Sequence, residues 1–111
     1  MEQISTIEYM KKSTPNGYIK ILTDDGWKME HIFIVEKFIG RELNDKEVVH
    51  HIDENKLNND INNLVIFPNV KEHSHFHRQI KQFGYTQPRI SEINKLKLEM
   101  LKERKRLLDE N

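Results

Sequence analysis

Val48-Val49-His50-His51-Ile52-Asp53-Glu54-Asn55-Lys56, then Asn58-Asn59, Asn62-Asn63-Leu64 and Glu72-His73 with His77, sets two histidines at the end of one apolar run and two more on a later helical face. The β-branched Val48, Val49 and Ile52 favour a strand leading into the two histidines. Asp53 to Asn62 is too polar to bury, and its Asn and Asp side chains hydrogen-bond readily to nearby backbone, so an ordered loop is expected there. Leu64-Val65-Ile66-Phe67 then reads as a second strand, closed by Pro68. Asn69 followed by Glu72 has the form of an N-cap with a reciprocal acidic partner, which predicts a helix from about Val70 to Phe83 ended by Gly84. On that helix His73 and His77 share a face, whereas His75 is turned roughly 200° from His73 and cannot join them at one metal. Imidazoles are the usual side chains for holding a transition-type divalent cation, and an unligated one beside it can act as a base.

Upstream, Tyr18-Ile19-Lys20-Ile21-Leu22 has strand composition and Asp24-Asp25-Gly26 is a turn signal, so a short hairpin closing at Trp27 is expected. From Lys28 to Ile39 the apolar Ile32, Val35 and Ile39, with Phe38 beside them, recur at helical spacing, and Gly40 stands where a left-handed cap residue belongs. His31 is read as a packing or capping residue rather than a ligand, and Trp27, Phe33 and Phe38 as core. Arg41 to Lys46 is a polar loop. Beyond the central stretch, Tyr85 to Arg89 reads as a loop. Ser91 reads as the cap of a last helix carrying Ile93, Leu96, Met100 and Leu107 at near-heptad spacing, interrupted by Glu103. The expected organisation is an N-terminal flexible segment over 1–17, a domain over 18–84 with its two strands and helix at about 47–84, and a linker with a charged C-terminal helix over 85–111. The fold class is α+β.

At 111 residues the chain suggests one domain with a limited buried fraction, which a metal would help to hold. It has no cysteine, so disulfides and thiolate zinc sites are excluded, and any metal must sit on His, Asp, Glu or Asn. No apolar run approaches the length of a signal peptide core or a membrane span, so a soluble cytoplasmic protein with no membrane partner is expected. Eighteen Lys and Arg balance eighteen Asp and Glu, which argues against a protein that holds polyanions by bulk charge. Local basic clusters matter more than the sum.

The order of elements, strand with His-His, Asn-rich loop, second strand and helix with paired His, resembles the HNH endonucleases of the ββα-metal superfamily, including phage-encoded and homing members. The resemblance runs from about Met29-Glu30-His31 to His77, and Gly40-Arg41-Glu42-Leu43 also looks like the segment that precedes the motif in phage members. It implies a small ββα-metal (HNH) core with an N-terminal hairpin and helix and a C-terminal helix. It further implies a metal-dependent DNA endonuclease, nicking or double-strand cutting, that leaves 5′-phosphate and 3′-hydroxyl ends. In it His51 is the general base, and Asn63 is the middle Asn that braces the loop and so orients the base, with Asn62, Asn59 and Asn58 as rivals. His50, His73 and His77 are the ligands of one divalent metal ion, with Mg, Mn, Ni and Zn all open. If the chain is phage-encoded, its place is the host cytoplasm.

Such chemistry suits the residue types, because a phosphodiester repels hydroxide until a cation offsets its charge, and three imidazoles leave coordination positions open. Neighbours on a regular strand point to opposite faces, so a bend between His50 and His51 is expected. DNA contacts are expected from Lys71, Arg78 and Lys81 on the metal helix, from Arg89, and from Lys102, Arg104, Lys105 and Arg106 near the end. A solvated helical face is the plainer reading of the last four. The apolar stripe of the last helix leaves open a homodimer or a phage or mobile-element partner protein. The competing function is a noncatalytic nucleic-acid-binding module with a structural metal, in which His51 is a fourth ligand.

Overall fold

The computed structural model describes residues 10–109. It begins with a three-stranded antiparallel sheet in the order β1 (Lys11–Ser13), β2 (Ile19–Thr23) and β3 (Gly26–Met29). Asp24 and Asp25 turn β2 into β3, with Thr23 opposite Gly26 and the Thr23 hydroxyl donating to the Gly26 carbonyl at 2.8 Å. β1 corrects the expectation of an unstructured segment through Gly17. Lys-Lys-Ser has no strand propensity of its own; β2, paired with β3 on one side, offers its other row of backbone groups, and Lys11 to Ser13 take it up opposite Ile21 to Ile19. Residues 1–9 of that expected segment lie outside the described residues. Trp27 is a second correction: it is 38 % exposed on this sheet, with the Lys12 ammonium 4.2 Å from its ring centroid, because its register opposite Leu22 puts it on the solvent face.

β3 runs directly into α1 (Glu30–Ile39), which starts two residues later than expected because Lys28 and Met29 still pair with Ile21 and Lys20. α1 buries His31, Val35 and Ile39 and ends at Gly40, whose φ of 80° is left-handed. A Cβ there would also lie 2.7 Å from a Leu107 methyl. Gly40→Ala is therefore expected to cost about 1–2 kcal/mol through the left-handed backbone alone, read as a lower urea midpoint at unchanged slope. An unchanged midpoint would contradict that origin of the glycine.

After the polar loop, β4 (Val48–His51) pairs antiparallel with β5 (Leu64–Phe67), His50 opposite Val65 and His51 opposite Leu64. A 3₁₀ turn over Ile61–Asn63 feeds β5, and Asp60 caps it by accepting from Asn62 N at 2.8 Å. All four β5 side chains are buried, which is why the strand reads as an unbroken apolar run: α2 (Val70–Phe83) packs on the hairpin, and α3 (Gln87–Asp109) packs on β5 and against α1. α2 has the expected bounds, with Asn69 Oδ1 accepting from Glu72 N at 2.8 Å. The core joins Val35, Ile39, the four β5 residues, Phe76, Ile93 and Met100.

α3 starts at Gln87 rather than near Ser91, which corrects the expected linker through Arg89. The Thr86 carbonyl accepts from Arg89 N and Ile90 N at 2.9 Å, and Pro88 falls in the first turn, where its missing N–H is no loss. Glu103 breaks the apolar stripe because it serves Arg41: the Arg41 Nε donates to Glu103 Oε1 at 2.7 Å, and its two terminal nitrogens donate to Glu47 at 2.8 Å. No helix among the described residues is long and apolar enough to cross a membrane.

Candidate active site

The β4–β5 hairpin carries His50 against α2, and the one-turn spacing of His73 and His77 brings both rings over it. His73 Nε2 lies 3.0 Å from His50 Nδ1 and 3.0 Å from His77 Nε2. A neutral ring nitrogen has one lone pair or one hydrogen, and here it faces two neighbours at once. His50 is also buried edge-on against Phe67 and Phe76, with Nε2 sealed from solvent and unpartnered. A single cation would satisfy all three facing nitrogens, which lie within 4.8 Å of one another, where tetrahedral ligands of a zinc-type ion stand ~3.3 Å apart. The three side chains thus fit a divalent metal. Glu54 Oε2, 3.5 Å from His77 Nδ1, stands where a carboxylate orients a ligating imidazole. To place it there, Glu54 takes a left-handed φ of 63°, which among the described residues no other non-glycine does.

Burial pushes His50 down to about 3, with His73, His77 and His51 adding repulsion. It pushes His73 down to about 4, with His77 adding to it. His31 is likewise driven to about 4 by burial, with repulsion from His51 second and Glu30 acting the other way. Unfolding returns each ring to ~6.5. Their folded values lie below the unfolded one, so stability is fully present above ~6.5 and is lost as pH falls toward the folded values of about 3 to 4. Metal-stripped protein is expected to melt at progressively lower temperature between pH 7 and 5. The loss is up to about 1 kcal/mol per pH unit for each fully buried ring, and less for half-buried His73. A melting temperature that holds constant across that window would contradict the burial of neutral rings.

His51 does not join the cluster of three. β4 continues through both histidines without a bend and ends just after His51, where Glu54 N donates to the His51 carbonyl at 2.9 Å. This corrects the expected bend: consecutive strand residues send their rings to opposite sides, and because the strand stops there, both still line one cleft with Tyr18, Glu54, Lys56, His73 and His77. The buried His51 ring stands 5.1 Å from that of His31, which stacks on Tyr18 at the same separation. His51 Nε2 lies 2.7 Å from Asn59 Oδ1.

Asn63 makes no bond to His51. It ties the loop together, accepting from Asp53 N at 3.0 Å and donating to Asp53 Oδ1 and the Asn58 carbonyl at 2.9 Å. The side chain that touches the ring is Asn59, which in turn donates to Glu30 at 2.8 Å. Glu30, Glu54 and Lys56 had no role in the sequence reading; only the place of Glu54 and Lys56 beside the His-His pair could have marked them. Lys56 Nζ reaches the Asn16 carbonyl at 2.9 Å across the Tyr18 ring, at the edge of the cleft. Of the expected DNA contacts, Arg78 and Lys81 line a groove that shares Glu54 and His77 with the cleft, and Lys71 is exposed on α2. Arg89 is paired with Glu92 at 2.9 Å, Lys102 with Glu99 at 3.8 Å and Lys105 with Asp109 at 3.0 Å. Arg104 donates to the Phe38 carbonyl at 3.3 Å, clasping α1, and Arg106 is exposed; none of these five lines the histidine cleft.

An antiparallel hairpin and a following helix that converge three imidazoles beside a fourth define a small α+β domain with a ββα core whose three clustered histidines could hold a metal ion. Residues 28–74 match the family model described as HNH endonuclease, so this part of the chain is similar to that family. The match includes His50, His51, Asn59, Asn63 and His73 and stops short of His77. Comparison with curated proteins and with solved structures gives no match.

Proposed function

We propose that this protein is a metal-dependent DNA endonuclease that hydrolyses phosphodiester bonds to 5′-phosphate and 3′-hydroxyl ends. The observation that carries this reading is the meeting at one cleft of a three-imidazole cluster and a separate imidazole, His51, that lies outside it. His50, His73 and His77 would hold the divalent ion, which when bound offsets charge on the phosphoryl and departing 3′ oxygens. An all-imidazole set favours Zn or Ni over Mg, which prefers oxygen ligands.

His51 takes the proton of the attacking water. Its ring is held on one side by Asn59 and packed against His31, so it meets the water in a fixed orientation. Asn63 keeps the loop that carries Asn59 closed through its bonds to Asp53 and Asn58. Lys56, Arg78 and Lys81 around the cleft neutralise flanking phosphates, and Lys71 and the basic residues of α3 extend that contact without choosing sequence. The competing structural-metal reading needs His51 as a fourth ligand, and its place outside the cluster of His50, His73 and His77 favours the catalytic one. Product ends test the reaction: fragments from a supercoiled plasmid should be resealed by DNA ligase without prior treatment. Unsealable 3′-phosphate ends, or no fragments with any divalent ion, would overturn it.

A further inference from the structure

Asn59 lies eight residues beyond His51, at the far end of the polar loop, and is buried. Its side chain makes two bonds, Oδ1 to His51 Nε2 at 2.7 Å and Nδ2 to Glu30 Oε1 at 2.8 Å. The other Glu30 oxygen, Oε2, is 2.8 Å from Lys11 Nζ. Burial alone would raise the Glu30 carboxyl, but hydrogen bonds from Lys11 and Asn59 and the Lys11 charge outweigh it and hold the group below its usual value.

Donor and acceptor chemistry leaves one assignment of these bonds. A carboxylate only accepts, so the end of the Asn59 amide turned toward Glu30 is its NH₂. The end left for His51 is the carbonyl oxygen, which also only accepts. His51 must then donate, and its proton sits on Nε2. The lone pair falls on Nδ1, which has no hydrogen-bond partner among the described residues and is not among the nitrogens sealed from solvent, on a ring that lines the histidine cleft.

We propose that Asn59 and Glu30, steadied by Lys11, form a positioning relay that fixes the Nε2–H tautomer of His51 and keeps Nδ1 bare at the cleft. The inference rests on the reading of His51 as the base. Its members come from three places in the chain, β1, the first residue of α1 and the β4–β5 loop, so the N-terminal sheet becomes part of the site rather than a separate appendage. Asn59 and Glu30 act through His51 and touch no reacting atom. Their loss costs orientation and tautomer, and the expected fall in rate is about 10–100-fold, the cost typical of removing the outer partner that orients a metal-ligating imidazole.

The test reads the tautomer directly, by ¹⁵N NMR of imidazole-labelled, metal-stripped protein at pH 8, in wild type, Asn59→Leu and Glu30→Ala. Wild type should show His51 protonated on Nε2 alone, both variants a mixture of tautomers, and cleavage should fall about 10–100-fold in kcat with KM for DNA and metal affinity little changed. Glu30→Ala serves where Asn59→Leu does not fold, because Ala at a helix start keeps the backbone. A mixed or Nδ1–H ring in wild type, or variants that keep the wild-type tautomer, would overturn the relay. Should His51→Ala cleave as well as wild type, the base reading fails while the tautomer result still decides whether Asn59 fixes the ring.

Discussion

Replacing His51 by Ala is expected to lower plasmid cleavage by roughly 10²–10⁴-fold, the range supplied by a positioned general base. Metal affinity should be unchanged, because His51 stands outside the cluster of His50, His73 and His77. Stability should fall by about 1–3 kcal/mol, since the buried Asn59 carbonyl loses its donor. That combination separates a base from a ligand. A fourth ligand would lose metal binding and rate together, and a packing residue would lose stability with rate nearly intact. Calorimetric titration of the metal and a cleavage time course on the same preparation check all three quantities; activity within tenfold of wild type would remove His51 from the reaction.

His73→Ala is expected to have the larger effect on the metal. Its Nε2 alone approaches both other rings, at 3.0 Å each, so its loss leaves His50 and His77 without the nitrogen between them. Affinity should fall at least about a hundredfold, more than an outer-shell change costs, and cleavage should fall below detection. The thermal readout is independent of activity. At a metal concentration a hundred times the dissociation constant, binding to the native state adds about 2.7 kcal/mol, on the order of ten degrees of melting temperature for a domain of this size. Wild type should show that rise and His73→Ala should not. An equal rise in both proteins would place the metal elsewhere. His75→Ala, on the other side of the helix, is the control.

What was legible in the sequence was what local chemistry dictates. The bounds of α2 follow from Asn69, Glu72 and Gly84, the end of α1 from Gly40, and β5 from its unbroken apolar run. Helical spacing put His73 and His77 on one face, and the hairpin brings His50 to them. What stayed hidden depends on partners distant in the chain. β1 has no propensity of its own and exists because β2 had an unpaired edge. Tyr85 to Arg89 reads as a loop, yet α3 starts at Gln87 because Pro88 in a first turn is compatible with a helix. The bond from Asn59 to Glu30 spans 29 residues and that from Arg41 to Glu103 spans 62, and neither leaves a periodic trace. The same limit explains why the sequence reading prefers Asn63 to Asn59 as the residue that orients the base: both lie in a loop of interchangeable Asn and Asp, and only the folded loop shows that Asn63 ties its two ends while Asn59 meets the ring.

The most direct measurement is cleavage of supercoiled plasmid by metal-stripped protein, with Mg²⁺, Mn²⁺, Ni²⁺ or Zn²⁺ added back singly and His51→Ala run alongside. The expected result is no cleavage without metal, nicking or linearisation restored by at least one ion, and loss of that restored activity in the variant. Wild-type protein that binds one equivalent of metal through the three histidines and still leaves the plasmid intact with every ion would contradict the nuclease reading, and the cluster would then be a structural metal site.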